Sequence, residues 1–299
     1  MFVIFGASGK VGSVTATKLR EAGHAVRAVI RNETQAQRFA ALGCETVMAD
    51  LTDPDSVRAA IRGADAVQML CPLPAHDPDP ETMMHTMIDV AADALRADPP
   101  PAVLALSDYG AELPEGTGLT LIFHYLETRL RSIPTRLTLL RSAEHMQNWG
   151  HQLPMFLDKG CVVSLHHPLN KAFPTVATQD VGSIAAELLL DRPASIMPRI
   201  VSVEGPHRVS ATEVARVLSE VSQREIPAVE FPRDQWNAAL LHAGMNERRV
   251  KLVTELYDAH NAGLIDIEAN TTERRFGTTT LAEVFSSLLA ASDADRTPA

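Results

Sequence analysis

The stretch Phe2-Val3-Ile4-Phe5-Gly6-Ala7-Ser8-Gly9-Lys10-Val11-Gly12 decides the fold of this chain. Its four leading apolar residues have the composition of a short strand that is buried on both faces of a parallel sheet. Three glycines then recur at every third position, and a helix is predicted from about Lys10 to Ala22. A strand, a glycine-punctuated turn and a helix in this order are typical of the turn that opens a dinucleotide-binding βαβ unit.

Each glycine of this turn has a predicted task. Gly6 permits a sharp exit from the strand, Gly9 lets a pyrophosphate approach the backbone, and Gly12 lets the helix pack closely on the sheet. The start of the helix adds free N–H groups and the positive end of the helix dipole. The predicted phosphate-binding residues are therefore Gly6, Ala7, Ser8, Gly9, Lys10, Val11 and Gly12. A glycine-rich turn that binds no ligand is the alternative.

Strands and helices alternate from this unit to about residue 140. The predicted strands are Phe2–Phe5, Ala25–Ile30, Thr46–Ala49, Ala66–Leu70, Ala102–Leu106 and Leu137–Leu140. This pattern predicts an α/β fold, a Rossmann-type doubly wound parallel sheet with right-handed crossovers. Because the alternation breaks near Arg141, we expect an NADP-binding domain at residues 1–142 and a smaller C-terminal α/β lobe at 143–299, partly interleaved with the sheet.

The composition excludes several classes of protein. A formal net charge of -10 argues against a protein that coats nucleic acid or anionic lipid, so an anionic ligand needs a local basic pocket. The three cysteines form no C-x-x-C pair, and no metal site is predicted, with His166-His167 and His76-Asp77 expected in solvated loops. The sequence has neither an apolar run long enough to span a membrane nor a signal-peptide pattern, which predicts a cytoplasmic location.

The residues after the second and third strands predict which dinucleotide binds. Arg31 stands where a carboxylate would otherwise bind the ribose 2′-hydroxyl, and a guanidinium suits a 2′-phosphate. NADP(H) is favoured, although Glu33 leaves NAD(H) open and a surface arginine is the alternative. Asp50 and Leu51 lie where an adenine amino group would be met, with a loop or helix-entry role as the alternative for Asp50. The cofactor channel is also expected to border the three residues after the fourth strand, Cys71, Pro72 and Leu73.

Four further motifs lie beyond the glycine turn. They are Leu106-Ser107, His124-x-x-Glu127-x-x-Leu130, Thr138-Leu139-Leu140-Arg141 with Asn148 after it, and Pro174-Thr175-Val176-Ala177-Thr178-x-Asp180-Val181-Gly182. With the turn and Arg31, they resemble the NmrA-like family of atypical short-chain dehydrogenases, including its quinone reductase and triphenylmethane reductase branch, over nearly the whole chain. The resemblance implies an NADP-binding Rossmann domain with a small C-terminal lobe closing over the nicotinamide, and it adds Ser107 to the expected cofactor contacts.

The sequence lacks the Tyr-Lys pair of catalytic short-chain dehydrogenases. Tyr109 is followed four residues later by Leu113, and Tyr125 by Arg129. His124 stands where much of the NmrA-like family has Lys, as it does in quinone-reductase-like members. An imidazole at this place is expected either to bond the cofactor ribose or to donate a proton near the transferred hydride, and a histidine that only packs is the alternative.

The acceptor pocket is expected to form around residues that offer flat or adaptable groups, namely Tyr109, His145, Met146, Asn148 and Trp149. Packing between the lobes is the alternative for Met146 and Trp149. The sequence thus predicts NADPH-dependent hydride transfer to a small-molecule acceptor, a quinone-like or other conjugated electrophile, for which the Tyr-Lys acid is not needed. A catalytically silent NADP(H)-sensing regulator is the alternative, and a homodimer or a regulatory protein partner is left open.

Overall fold

The predicted alternation of strands and helices is confirmed in a computed structural model, which describes residues 1–74, 77–191, 197–269 and 273–296. Each of the six strands predicted before residue 142 lies within two residues of its expected bounds. The strands are β1 (Phe2–Ile4), β2 (Val26–Ile30), β3 (Glu45–Met48), β4 (Ala66–Met69), β5 (Ala102–Asp108), β6 (Arg136–Ser142), β7 (Glu144–His145), β8 (Val162–Ser164), β9 (Thr175–Val176), β10 (Arg199–Glu204), β11 (Ala228–Glu230) and β12 (Glu273–Phe276).

The α-helices connect these strands and cover the sheet. They are α1 (Lys10–Glu21), α2 (Ala36–Ala41), α3 (Pro54–Ile61), α4 (Pro80–Ala97), α5 (Leu121–Leu130), α6 (Leu153–Lys159), α7 (Thr178–Leu190), α8 (Ala211–Ser222), α9 (Trp236–His242), α10 (Glu247–Ala262) and α11 (Leu281–Arg296). None of the helices in the described ranges is both long and apolar enough to cross a membrane.

The main sheet is parallel throughout and has the order β12-β10-β6-β5-β4-β1-β2-β3. Alternate side chains of β1 enter opposite cores, because successive residues of a strand point to opposite faces. Phe2 and Ile4 pack with apolar residues of α1 and α7, whereas Val3 and Phe5 pack with those of α3, α4 and α5. Helices on both faces and a strand order that reverses at β1 confirm the doubly wound Rossmann fold.

The C-terminal half shares this sheet, because β10 and β12 extend it beyond β6. The remaining elements of that half enclose a third apolar core that includes Trp149, Phe156 and Phe285. Two short parallel pairs complete this half: β7 pairs with β9 just after the end of β6, and β8 pairs with β11 within the lobe. The C-terminal half is therefore interleaved with the main sheet, whereas the domain boundary at residue 142 stays a prediction.

Hydrogen bonds at the helix starts explain the local structure. Asp53 caps α3 by accepting from the Asp55 N–H, and the expected capping box at Ser210 is formed with Glu213. The helix predicted near residues 33–42 instead begins as a 3-10 turn, because the Asn32 side chain accepts from the Thr34 N–H.

Candidate functional site

The predicted cofactor residues come together at one edge of the sheet. All neighbouring strands of the main sheet are parallel, so the loops that follow β1 to β6 leave at the same edge. The strand order reverses between β1 and β4, and ligands of open α/β sheets bind in the crevice at such a point. A dinucleotide placed there would lie with one half over β1 to β3 and the other half over β4 to β6.

The glycine turn has the shape of an anion cradle. Gly6 has a φ of +70°, and its carbonyl accepts a hydrogen bond from the Gly9 N–H at 2.9 Å. A Cβ on Gly12 would lie 2.3 Å from the Gly6 carbonyl oxygen, so only glycine lets α1 approach the strand this closely. Gly9 is exposed at the start of α1 without a side-chain cap, and the first-turn N–H groups face the crevice. A pyrophosphate fits this turn.

A second close contact fixes α1 from its other side. A Cβ on Gly182 of α7 would lie 2.6 Å from the Val11 carbonyl oxygen. The Thr15 hydroxyl lies 3.1 Å from the Gly182 carbonyl oxygen and donates to it within the buried interface. Asp180, two residues earlier in α7, accepts from the backbone and the hydroxyl of Thr279 at 2.9 Å each. The last of the sequence motifs therefore holds the phosphate-binding helix in place.

The ends of β2 and β3 carry the residues expected near the adenosine half. Arg31 is exposed and makes no hydrogen bond or ion pair with the described residues. Asp50 accepts from the backbone and the hydroxyl of Thr52 at 2.8 and 2.7 Å, and these bonds hold its pKa below the usual range, with the charge of Arg31 adding to them. Leu51 packs against the core. Of the three residues, Arg31 is therefore the one whose side chain could bind a phosphate.

The segment after β4 is apolar. Cys71 is buried, and burial raises the pKa of its thiol to about 12, so the sulfur is neither a thiolate nucleophile nor a metal ligand at neutral pH. Pro72 and Leu73 are partly buried, and Leu73 packs against the core beneath α4. These residues form one wall of the crevice, and their contact with a cofactor stays a prediction.

Ser107 belongs to a buried ion-pair network. Its hydroxyl donates to Oε1 of Glu127 at 2.7 Å, and Arg141 donates to both oxygens of the same carboxylate at 2.8 Å. Arg141 also pairs with Glu112 and Glu268. Burial alone would raise the pKa of Glu127, yet the hydrogen bonds and the charge of Arg141 hold it below the usual range. Three of the family motifs thus meet in one network directly under the crevice.

His124 and Tyr125 point in different directions from α5. Nδ1 of His124 lies 2.8 Å from the Ala111 carbonyl oxygen, so the neutral ring carries its proton on Nδ1 and presents Nε2 as an acceptor. The Tyr125 hydroxyl donates to Asp89 of α4 at 2.7 Å, on the outer side of the helix. The geometry therefore contains no Tyr-Lys pair at this helix and leaves His124 half-buried beside the crevice.

His145 follows β6 and lies near the start of α1. Its Nε2 is buried without a hydrogen-bond partner in the described part of the chain. Burial lowers the pKa of His145 to about 4; the nearby charge of Glu144 opposes this effect, whereas that of Lys10 adds to it. A neutral imidazole with an unpaired nitrogen next to the phosphate-binding helix is suited to a hydrogen bond from or to a bound ligand.

The other residues expected to line an acceptor pocket are distributed differently. Tyr109, Met146 and Trp149 are at most 4% exposed, and each belongs to a core cluster. Met146 and Trp149 pack in the third apolar core, while the hydroxyl of Tyr109 and Nε1 of Trp149 have no partner among the described residues. Asn148 is exposed. Their contact with an acceptor stays a prediction.

His166 corrects one expectation. It is 3% exposed rather than solvated, because its ring stacks on Phe173 with centroids 3.7 Å apart and its Nε2 lies 3.1 Å from Oε2 of Glu144. Tyr257 and His260 of α10 contact the same ring edge-on. Burial alone would raise the pKa of Glu144, yet His166 and its neighbours hold it below the usual range. His76 lies outside the described residues.

Sequence reasoning missed this aromatic cluster and the acidic residue beside it. Asp108, the last residue of β5, accepts from the Thr120 hydroxyl at 3.0 Å, and the charge of Glu144 acts on it. Asp108 follows Ser107 directly, so its place at the carboxyl end of a strand was a usable signal. Nothing in the sequence near His166 or His260 indicates that they meet Glu144.

Comparison with known proteins identifies the first part of the chain. Residues 6–119 match the family described as NAD(P)H-binding. The matched stretch is similar to that family. It begins at Gly6 and runs past the ends of β1 to β5, so it includes every residue predicted to bind the cofactor, whereas His124 and His145 lie outside it.

Relatives of similar length extend this likeness over the whole chain. The NAD(P)H azoreductase of Xenophilus azovorans is 25% identical over 92% of this chain and 93% of that protein. Quinone oxidoreductase 2 of Escherichia coli (strain K12) is 24% identical over 96% of this chain and 98% of that protein.

Solved structures agree with the fold. The NADPH-dependent quinone oxidoreductase of Escherichia coli complexed with NADPH superposes with a TM-score of 0.80, at 20% identity over 97% of this chain and 100% of that chain. The triphenylmethane reductase of Citrobacter sp. superposes with a TM-score of 0.79, at 20% identity over 97% and 99%. These structures show that the chain shares their fold.

Proposed function

We propose that this protein is an NAD(P)H-dependent oxidoreductase that passes hydride to a quinone-like or other conjugated electrophile. The observation that carries the proposal is the contact between Gly12 and the Gly6 carbonyl, which opens the start of α1 to a pyrophosphate. The names of the two curated relatives, an azoreductase and a quinone oxidoreductase, support a small-molecule electron acceptor.

NADP(H) is the preferred cofactor in this proposal. Arg31 is exposed at the end of β2 and makes no ion pair in the described ranges, so its guanidinium is available to a ribose 2′-phosphate. The exposed Glu33 keeps NAD(H) as the less favoured cofactor.

The residues around the crevice would bind and orient the two reactants. When bound, the reduced dinucleotide supplies a hydride, which carries two electrons. His124 offers Nε2 as an acceptor for a ribose hydroxyl, and His145 offers an unpaired ring nitrogen near the phosphate-binding helix. Tyr257, His166 and Phe173 form an aromatic cluster beside Glu144. An electron-poor acceptor takes up hydride without the Tyr-Lys pair of other short-chain dehydrogenases, and the proton that completes its reduction then comes from another group or from water.

The regulatory alternative is not favoured, because both curated relatives are named as enzymes. We place the reductase in the cytoplasm, in keeping with the free thiols of Cys44, Cys71 and Cys161.

A panel of quinones, azo dyes and triphenylmethane dyes tests the proposal. Purified protein is expected to oxidise NADPH steadily with at least one class and to release the corresponding reduced product. Tight NADPH binding without turnover of any acceptor in the panel would overturn the oxidoreductase assignment and favour a catalytically silent NADP(H)-sensing regulator.

A further inference from the structure

Asp108 is an enclosed carboxyl group that the proposed function does not yet use. It ends β5, and its Oδ2 accepts from the Thr120 hydroxyl at 3.0 Å. The residue keeps some solvent exposure while protein atoms surround its carboxyl group. Among the described residues, no arginine, lysine or histidine forms an ion pair with Asp108. An enclosed carboxyl group with a hydroxyl donor and no cation partner is poorly suited to be a permanent anion.

The position of Asp108 relates it to the reacting end of a bound dinucleotide. The glycine turn and Arg31 follow β1 and β2 and would hold the pyrophosphate and the adenosine half. The nicotinamide half then lies over the ends of β4, β5 and β6. Asp108 ends β5 and pairs in register with Ser142, the last residue of β6, two positions before Glu144. It therefore stands at the edge of the sheet where the acceptor must meet the hydride.

Reduction of a quinone to a neutral hydroquinone consumes one proton at the edge of the sheet where the acceptor meets the hydride. Hydride from the reduced nicotinamide dinucleotide brings two electrons and one hydrogen nucleus to the quinone, which becomes the hydroquinone monoanion. One further proton completes the neutral hydroquinone. An azo bond has the same need, because hydride adds to one nitrogen and a proton to the other.

We propose that the protonated carboxyl of Asp108 donates this proton and is a catalytic residue of the reduction. The carboxyl O–H bond breaks, an O–H or N–H bond forms on the reduced acceptor, and the Asp108 carboxylate regains a proton from water in the cleft. The inference rests on the proposed function and adds the acid that the missing Tyr-Lys pair would otherwise supply.

The electrostatic surroundings keep this acid protonated near neutral pH. Burial raises the pKa of Asp108 to about 7 and outweighs the hydrogen bonds from the Thr120 hydroxyl and the Tyr109 backbone N–H, which lower it. The carboxylates of Glu144, on β7, and Glu112, in the loop after β5, raise it further. On the far side of Glu144, His166 approaches the same carboxylate at 3.1 Å. An acid with a pKa near the working pH combines a large protonated fraction with effective proton transfer.

The two histidines of the site are less suited to this task. Burial lowers the pKa of His145 to about 4, so it is neutral at pH 7. Nδ1 of His124 lies 2.8 Å from the Ala111 carbonyl oxygen, so this nitrogen is engaged with the backbone. Asp108 forms no ion pair with a described residue and is therefore better placed to be the proton donor.

The test compares an acceptor that needs the proton with one that does not. A triphenylmethane carbocation dye takes up hydride to give a neutral product, whereas 1,4-benzoquinone also needs a proton. Asp108→Asn keeps the size of the side chain and an oxygen for Thr120 but has no acidic proton. In single-turnover reactions with NADPH, the ratio of the quinone rate to the dye rate is expected to fall by about 100-fold in this variant. The matched control is Asp98→Asn, an exposed carboxyl at the end of α4.

A titration of the protein without cofactor gives a second measurement. With ¹³C-labelled aspartate carboxyl groups, Asp108→Asn should remove one resonance that titrates near pH 7, and Asp98→Asn should leave it. NADPH binding, followed by fluorescence, is expected to change by less than about threefold in Asp108→Asn.

The outcomes separate the two proposals. Equal loss of the quinone and dye rates, or the absence of a carboxyl resonance that titrates near pH 7, would overturn the role of Asp108 while leaving the reductase assignment intact. A wild-type protein that reduces neither probe but binds NADPH would overturn the proposed function, and with it the catalytic part of this inference.

Discussion

Nε and Nη2 of Arg141 each lie 2.8 Å from a carboxylate oxygen of Glu127, and both side chains are at most 3% exposed. The pair joins β6 to α5, and Ser107 of β5 donates to the same carboxylate. Three neighbouring elements are therefore held together immediately below the crevice. Two charges this deeply buried destabilise the folded state unless they are paired. The Arg141–Glu127 pair therefore fixes the relative positions of β6 and α5 beneath the crevice.

Arg141→Met is expected to lower the free energy of unfolding by about 3–5 kcal/mol, because it leaves the Glu127 carboxylate buried without its partner. Urea unfolding followed by circular dichroism measures the change. The control is Arg131→Met, which removes an ion pair with Glu127 from a guanidinium that is 41% exposed, and its cost is expected to be about 0–1 kcal/mol. Similar losses of unfolding free energy in both variants would show that the buried Arg141–Glu127 pair contributes no more stability than the more exposed Arg131–Glu127 pair.

The glycine turn permits a paired test of stability and binding. In Gly12→Ala the new Cβ would lie 2.3 Å from the Gly6 carbonyl oxygen, so α1 must shift, and we expect a lower melting temperature together with loss of NADPH binding. Gly9 has a φ of -81°, and a Cβ there would lie 3.3 Å from the same oxygen. Gly9→Ala is therefore expected to fold normally and to weaken NADPH binding, because its methyl group occupies the approach of the pyrophosphate. NADPH binding by Gly9→Ala at wild-type strength would argue against a phosphate at this turn.

Arg31→Asp is expected to weaken NADPH binding by about 10- to 150-fold and NADH binding much less. The reason is that a charge-assisted hydrogen bond contributes about 1.5–3 kcal/mol, and NADH lacks the phosphate that would accept it. Fluorescence titration with each dinucleotide measures the effect. Arg38→Asp is the matched control, since Arg38 is also exposed and lies on the next helix. Equal losses for the two dinucleotides in Arg31→Asp would contradict the assignment.

Stability should fall in mild acid because of His260. Burial lowers the pKa of His260 to about 4 in the folded protein and outweighs the charge of Glu144, whereas an unfolded histidine titrates at about 6.5. Between these values the unfolded chain binds more protons, so the free energy of unfolding decreases as the pH falls. In His260→Gln this decrease is expected to be shallower, as measured by urea unfolding from pH 7 to pH 4. The control is His242→Gln, at an exposed position. Parallel pH profiles of the unfolding free energy for the two variants would contradict the prediction.

Local patterns were enough to predict most of the framework. The run from Phe2 to Gly12 specifies a strand, a turn and a helix, because apolar residues, glycines and helix formers each act over a few neighbouring positions. The capping signal at Ser210 is local in the same sense, since its partner Glu213 lies in the same turn. The 3-10 turn that precedes α2 at Glu33 has a local cause as well, in the hydrogen bond that the Asn32 side chain accepts from the Thr34 N–H.

The errors and omissions concern contacts between distant parts of the chain. His166 follows a strand in a loop with prolines, and its composition predicted a solvated loop, yet Phe173 and Glu144 enclose it. The sequence also did not show that the side chain of Tyr109 is only 2% exposed within the core, and its contact with an acceptor stays a prediction. A side chain's environment depends on which elements pack around it, and periodicity along one segment carries no information about that.

The amino-acid sequence by itself determined the parallel αβ alternation, the phosphate-binding turn at Gly6 to Gly12 and the placement of Arg31 after the second strand, because each follows from residues that are close in the chain. Only the tertiary structure decided that Glu144, His166 and His260 share one cluster, and that Asp108 stands beside it as an enclosed carboxyl. Their protonation depends on burial and on neighbouring charges, and both are set by the packing of β5, β7, α10 and the intervening loops against one another.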